Sequence, residues 1–539
     1  MASVKFQRKE FEKHIRLTRE IEERISLFGT HLESITEDEI EIEVLPNRPD
    51  LFSLQGFIRA ISAFIGKNTG LKKYSVSSSG EKMIVEKSVP KEWPFAYACI
   101  VKGIEFDNEK IREVIQMQEK LGTTLLRNRK KGGIGIYPLE KINFPVSFKG
   151  MKPDEIKFRP LEYPEAITGR QILSKHPTGR EYSHLVSSLN SFPVFVDKKG
   201  IIMSMPPIIN SHDVGKIDEK TRDVFVECTG TDQNALKKVL IIILTALAEL
   251  GGKIYSLECH QKSGEKENFP NLTPEKKKIS LENVNTLLGL SLKEKDIAKL
   301  LSKMGYEYKK GSVSVPAWRA DVLHEVDIIE DIAIAYGYDK LVPVMPEIST
   351  IGEESKQSKI KNKIREALIG LGLIEISSYH LIKQDEGAYM PEESRIEVES
   401  SKTEYKFLRP SLLLPALRIM GENKDNEYPQ KLFEIGPVFS KDAKAETGIR
   451  EQENILIVLS PASFTEVKQV LDNCTSALST TCTLKEEAFS YLIEGRTAAL
   501  MQENEKIGYM GELHPETLRA WNIKMPMAVI ELKLDAFIK

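Results

Sequence analysis

An α+β multidomain fold is predicted by three features of this chain. First, 539 residues are enough for about three or four domains. Second, strand and helix patterns are interspersed. Over 39–44, Ile40, Ile42 and Val44 alternate with glutamates, as in a half-buried strand. Over 326–336, Val326, Ile329, Ala333 and Tyr336 recur at helical steps. Third, 41% hydrophobic beside 29% charged residues is the balance of a globular chain with a sizeable core.

The totals also exclude. Lys plus Arg number 76 and Asp plus Glu 79, a net charge of −3, so any RNA contact must come from local patches or a partner. Five cysteines, none in CxxC spacing, point to a reducing, cytoplasmic compartment and away from zinc or disulfides. No apolar signal region is expected at the N-terminus. The most apolar run, 239–250, is too short to span a bilayer, so no membrane association is expected.

In chain order, helical spacing over 8–27 leads into the strand 39–44. Pro46-Asn47-Arg48-Pro49 reads as a turn, since two prolines fix φ and asparagine tolerates left-handed backbone. Asp50 is placed to cap the next helix, whose apolar face includes Leu54, Ile61 and Phe64. Residues 67–87, rich in Ser, Lys and Gly, read as a loop or linker. Short strands (96–104, 192–196) then mix with helices (109–126, 233–250). Gly132, Gly133 and Gly135 lack the frame and the Lys-Ser/Thr of a phosphate loop, and read as a basic surface turn with Lys130 and Lys131. Helices at 279–288 and 294–304, the second with a Ser291–Glu294 capping box, precede a hairpin over 306–315. Two helices and a hairpin describe a winged-helix-like module. Residues 347–539 read as an α/β region, with a helix at 359–371 and a strand at 375–381.

The densest chemistry lies at 316–341. Asp327, Glu330 and Asp331 stand at i, i+3 and i+4, on one helix face, and Asp321 precedes the helix. Like charges at that spacing repel unless a cation lies between them, and an all-oxygen set suits Mg²⁺. A solvated acidic face, with Asp321 as an N-cap, accounts for the same spacing.

Pro316, Arg319, Asp321, Asp327, Glu330, Asp331, Tyr336, Gly337 and Tyr338 together resemble the metal-binding module of the β subunit of phenylalanyl-tRNA synthetase. Asn47-Arg48-Pro49-Asp50 resembles the N-terminal module of that subunit. Pro206-Pro207-Ile208-Ile209-Asn210 and Thr229-Gly230-Thr231-Asp232 resemble its archaeal and eukaryotic form. The segment Leu408-Arg409-Pro410-Ser411-Leu412-Leu413, with 431–439, resembles the catalytic-like fold of class II synthetases. It lacks the Gly-x-Gly-x-Gly…Arg motif that ATP binding needs.

The resemblance implies four domains: an N-terminal α/β module (1–89), an editing domain (90–268), a winged-helix-like magnesium module (269–346), and a class II synthetase-like antiparallel-sheet domain without catalytic motifs (347–539). It implies that Asp321, Asp327, Glu330 and Asp331 bind Mg²⁺. It implies a separate α subunit that binds ATP and phenylalanine, an assembly of two α and two β subunits, and charging of tRNA(Phe) in the cytoplasm. The chain ends soon after the catalytic-like domain, which fits the shorter archaeal and eukaryotic type.

The editing region would hydrolyse tyrosine wrongly attached to that tRNA. A synthetic pocket for a phenyl ring rejects one extra hydroxyl weakly, whereas a pocket that hydrogen-bonds the hydroxyl rejects the ring lacking it. Asn210, Ser211 and Asp232 are the candidate polar lining. Ser, Asn and Asp also favour turns and caps. Two other readings compete: a stand-alone hydrolase of mischarged tRNA, and a non-catalytic RNA-binding scaffold.

Overall fold

The computed structural model describes residues 2–347, 351–386, 394–399, 401 and 403–537. They form two compact units, Met1–Val344 and Met345–Lys539.

The first unit opens with a three-stranded antiparallel sheet, in which Glu39–Val44 lies between Ala2–Gln7 and His31–Ile35. Its inward residues Ile40, Ile42 and Val44 are fully buried, as alternation requires. The Asn47–Asp50 turn departs from expectation. Asp50 does not cap the helix Leu54–Phe64. It receives two bonds from Arg48, Nε–Oδ1 and Nη2–Oδ2 at 2.9 Å, while Ser53 Oγ takes the capping bond from Gly56 N. Those bonds, with Arg319 and Arg59 nearby, hold the Asp50 carboxyl below its ordinary range against the cost of burial.

A ten-stranded mixed sheet dominates the unit. Its path runs Ile209–Asn210, Ile202–Met205, Phe192–Val196, Val146–Met151, Val76–Val85, Lys253–His260, Phe95–Lys102, Val224–Gly230 and Gly132–Pro138. Lys266–Phe269 is added beside Lys253–His260. The expected linker at 67–87 therefore contains an interior strand. Its serine-rich half stays exposed, which is why composition reads as loop, while Met83 and Val85 enter the core. The glycines expected in a basic surface turn lie in the end strand Gly132–Pro138. The helix Gln233–Glu249 is apolar on nearly every side and packs on this sheet.

Beyond the sheet, Ser312–Val315 lies between Glu275–Lys278 and Glu307–Lys309, beside helices Leu281–Leu288, Glu294–Lys303 and Glu325–Tyr336. The expected Ser291 capping box is replaced by Asp296, which accepts from Lys293 N at 3.0 Å. This module interlocks with the others. Lys238 Nζ donates to the carbonyls of Ala317 (3.1 Å) and Arg319 (2.9 Å). Arg59 lies 4.2 Å over the Trp318 ring. Arg48 and Arg319 lie close enough for their charges to act on one another.

The second unit has a seven-stranded sheet ordered Ile374–Glu375, Gln430–Lys441, Ile449–Ser460, Ala528–Lys533, Glu505–Leu513, Leu492–Gln502 and Thr483–Glu486. Only the first pair is parallel. Both faces are covered. Ile455, Ile457 and Leu459 share a core with Leu368 and Leu471, while Leu456 and Val458 share another with Leu417 and Met420. The expected strand 375–381 is interrupted, and Leu381–Lys383 pairs instead with Tyr405–Leu408. Among the described residues, no helix is long and apolar enough to cross a membrane.

Candidate functional site

A cavity of about 970 Å³ opens in the first unit where the two ends of the ten-stranded sheet return to face each other. The closure is visible in one bond: Tyr137 Oη, on one end strand, lies 3.3 Å from Asn210 Oδ1 on the other. Gly132 and Gly133 line it. Gly133 faces Pro207, and Gly135 faces the Glu227 carboxylate and the Tyr137 hydroxyl so closely that no Cβ would fit. Glycine in a strand marks such a close approach.

Glu227 is the chemically distinctive group. It sits in Val224–Gly230, a strand buried at every position, and is itself 1% exposed. Tyr137 donates its hydroxyl to Glu227 Oε1 at 2.9 Å, and Oε2 has no partner. Burial raises its pKa to about 8, and the tyrosine bond only partly opposes this. Near neutral pH the group is mainly a carboxylic acid, able to donate as well as accept. Glu227 thus borders the cavity while its second carboxyl oxygen is unbonded and shielded from solvent.

Of the three expected polar residues, Asn210 lines this cavity. Ser211 is buried just before the short helix His212–Gly215, makes no capping bond with its side chain, and is not part of the wall. Asp232 caps the helix Gln233–Glu249, accepting from Ala235 N at 3.1 Å, and pairs with Lys131 at 2.7 Å. The Lys131 bond, then the backbone bond, holds its carboxyl below its ordinary range. Sequence reasoning missed Glu227, Tyr137 and Gly135. Two signals were present: one acid in the apolar run Val-Phe-Val-Glu-Cys, and three glycines within a strand.

The acidic module contains the expected helix, Glu325–Tyr336, but its four carboxylates do not stand together as one cage. Asp321 gives both oxygens to Arg319, Oδ1 to Nε at 2.8 Å and Oδ2 to Nη2 at 2.7 Å. Asp331 Oδ2 accepts from Arg319 Nη2 at 2.7 Å and from the Tyr306 hydroxyl. A buried guanidinium therefore occupies the place between two of the acids. Asp327 Oδ2 caps the helix, accepting from Leu323 N (2.7 Å) and His324 N (2.6 Å), so the alternative of Asp321 as the cap does not hold. Glu330 is exposed. Among the described residues, no group of three or more His, Cys, Asp or Glu is arranged to hold a metal ion. Asp327 and Glu330 are the two of the four acids not paired with Arg319, and Mg²⁺ takes one or two carboxylates while retaining waters.

The second unit has a smaller cavity, about 400 Å³, bordered by Ser411, Asn454, Tyr509 and Glu531. Glu531 is 3% exposed and accepts from Leu412 N (3.0 Å), Asn454 Nδ2 (2.9 Å), Tyr509 Oη (2.9 Å) and the Ser411 hydroxyl. Arg409 is buried and spent internally, on Glu434 Oε1 (2.7 Å), Ser378 Oγ (2.7 Å) and the Pro437 carbonyl (2.9 Å).

A family model described as the tRNA synthetase B5 domain matches residues 277–338. One described as the phenylalanyl tRNA synthetase beta chain CLM domain matches residues 341–534. The chain is 34% identical over 503 residues to the phenylalanine--tRNA ligase beta subunit of Thermococcus sibiricus, covering 92% of this chain and 90% of that one. It is 35% identical over 528 residues to the beta subunit of Archaeoglobus fulgidus, covering 95% and 94%. An N-terminal fragment of the Pyrococcus horikoshii beta subunit, a solved structure, aligns with a TM-score of 0.60 at 34% identity, over 62% of this chain and 99% of the fragment.

Proposed function

The chain belongs to the phenylalanine–tRNA ligase β-subunit family, and on that premise we propose that it is the non-synthetic, proofreading subunit of that ligase. It works in the cytoplasm with an α subunit, two copies of each, and the α subunit binds ATP and phenylalanine. The second unit supports this division of labour: its cavity carries a buried carboxylate, Glu531, where a triphosphate needs positive charge. The lysines that line it, Lys506 and Lys533, pair with Glu487 and Glu505, and Arg409 is consumed by Glu434. In this reading the unit is a class II-like scaffold that packs against the partner, and residues 269–346 form the winged-helix-like module.

Proofreading is carried by one observation, a buried acid, Glu227, bordering the large cavity with one carboxyl oxygen left unpartnered, which a small turn of the side chain would offer to a ligand. A tyrosyl phenol meeting that oxygen replaces a missing bond, while a phenyl ring leaves a buried polar group unsatisfied, so tyrosine is selected. Water then attacks the ester carbonyl, the bond to the ribose oxygen breaks, and tyrosine and the free tRNA 3′ end leave. Glu227 recognises the ring; it is not assigned as the base. Asn210 steadies Tyr137 from the other side, while Ser211 adjoins Asn210 and Asp232 holds Lys131 beside the glycine strand. Replacing Glu227 with leucine is expected to lower kcat/KM for tyrosyl-tRNA(Phe) hydrolysis by about tenfold or more, the worth of one such bond. Unchanged hydrolysis would remove proofreading from this cavity.

The test of the subunit role is pyrophosphate exchange with phenylalanine and ATP. Exchange is expected only when the chain is co-expressed with an α subunit. Exchange by the chain alone would overturn the assignment. A stable chain that hydrolyses mischarged tRNA yet never joins an α subunit would favour the stand-alone hydrolase. For magnesium, Asp327 and Glu330 are the proposed ligands through water, with Asp321 and Asp331 set back on Arg319.

A further inference from the structure

The cavity is larger than one amino-acid side chain requires. Its volume of about 970 Å³ is at the top of the range that takes drug-sized ligands, about 300–1,000 Å³. Glu227, bonded to Tyr137, occupies one part of the wall. Two further groups, Arg129 and Tyr182, line another part and play no role in selecting the ring.

Arg129 is held with unusual firmness. It ends a run of three non-glycine residues in left-handed backbone, Arg127 (φ 50°), Asn128 (φ 52°) and Arg129 (φ 61°). Side chains adopt that backbone at a cost, and it persists where the surroundings fix it. Here Arg129 N donates to the Gly122 carbonyl at 3.0 Å, and Nη1 donates to the carbonyls of Pro207 and Ile208, both at 3.0 Å. The guanidinium lies 4.2 Å over the Tyr182 ring, and Tyr182 is half-buried. The result is a cation over an aromatic ring on the cavity wall.

Its position relative to Glu227 follows from one strand. Gly133 faces Pro207 and Gly135 faces Glu227. These glycines are two residues apart on the same strand face, so the two walls are separated by roughly 7 Å. Pro207 in turn carries Arg129. A ligand therefore meets, in sequence, an acid, a proline and a guanidinium–phenol stack. The aminoacyl ester of every tRNA is carried on a terminal adenosine. Its adenine is planar, and flat aromatic and guanidinium surfaces are what unpaired bases stack on.

We propose that Arg129 and Tyr182 form the subsite for the terminal adenine of the mischarged tRNA, fixing the ester between them and Glu227. This rests on the proofreading reading and names the second half of its substrate. The binding energy comes from stacking, so the aromatic ring of Tyr182 matters and its hydroxyl does not. Tyr182 is a positioning residue rather than a catalytic one.

The test uses the complex of this chain with its α subunit and two non-hydrolysable probes, 3′-tyrosylamino-3′-deoxyadenosine and tyrosinamide, titrated by calorimetry. The wild-type complex is expected to bind the nucleoside probe at least tenfold more tightly than tyrosinamide. Tyr182→Leu, which keeps the packing volume, is expected to lose that tenfold while leaving tyrosinamide unchanged, and Tyr182→Phe to restore it. In hydrolysis of tyrosyl-tRNA, Tyr182→Leu is expected to raise KM with kcat largely retained. An unchanged melting temperature of the Tyr182→Leu complex controls folding. Wild-type nucleoside affinity in Tyr182→Leu, or equal weakening of both probes, overturns the subsite. Intact tyrosyl-tRNA hydrolysis with an unaltered KM in that variant sinks the subsite and keeps proofreading. Tyr182-dependent binding without wild-type hydrolysis keeps the subsite and sinks proofreading. Failure of the wild type to bind either probe overturns both.

Discussion

At the residue scale, Glu227 carries a consequence for stability as well as for recognition. Its pKa is raised to about 8 by burial, from an ordinary carboxylate value of 4.5. Between those values the folded chain holds a proton that the unfolded chain has released. Stability therefore falls as pH rises through that window, by up to about 1.4 kcal/mol per pH unit from this one group. The melting temperature of the wild-type chain is expected to decline from pH 5 to pH 8, and Glu227→Gln to flatten that decline. Equal slopes in both would show that the group is not buried in solution. The acid was visible in the sequence as one charge in an apolar strand, but periodicity gives no hint of what stands opposite it.

At the element scale, the end strand Gly132–Pro138 and the acidic helix Glu325–Tyr336 make separate predictions. Gly135→Ala places a methyl group where Glu227 Oε1 and Tyr137 Oη already lie. It is expected to cut tyrosyl-tRNA hydrolysis while phenylalanine charging by the complex continues, because the strand is remote in sequence from the synthetase-like unit; both rates measure it. On the helix, Asp327→Ala removes two capping bonds and is expected to cost about 1 kcal/mol without magnesium and more with it, read by urea unfolding. Glu330 is exposed, so Glu330→Gln separates the metal from the fold. It is expected to leave the melting temperature unchanged without magnesium and to diminish the upward shift that magnesium gives the wild type. A full shift in Glu330→Gln would exclude it as a ligand. The helix itself was legible from spacing alone. The roles of its acids were not, because spacing shows a shared face and does not show an arginine reaching into it.

At the scale of the whole molecule, the charged strings that identify the family also hold its first unit together. Arg48 and Asp50 from the N-terminal turn approach Arg319 and Asp321 from the acidic module. Lys238, from the sheet's helix, ties down the backbone between Ala317 and Arg319. Arg319 is 4% exposed and bonds two carboxylates. Replacing it with methionine strands Asp321 and Asp331 without their cation, and is expected to cost about 3–5 kcal/mol in equilibrium unfolding. A cost near that of a surface pair, about 0–1 kcal/mol, would show that the network is dispensable.

The sequence by itself determined the family, the mixed α/β character, the acidic helix and most of the helix positions, because these rest on short strings and on apolar periodicity within about a dozen residues. Tertiary structure decided the chemistry. Tyr137 meets Glu227 across 90 residues because their strands pair, and Asn210 across 73 because a ten-stranded sheet brings its two ends together. It also decided the strand Val76–Val85, whose serines read as linker until neighbours on both sides supply its hydrogen bonds. Local pattern fixes which residues face inward. Which inward-facing groups meet depends on sheet order and closure, and those are settled by packing the whole unit.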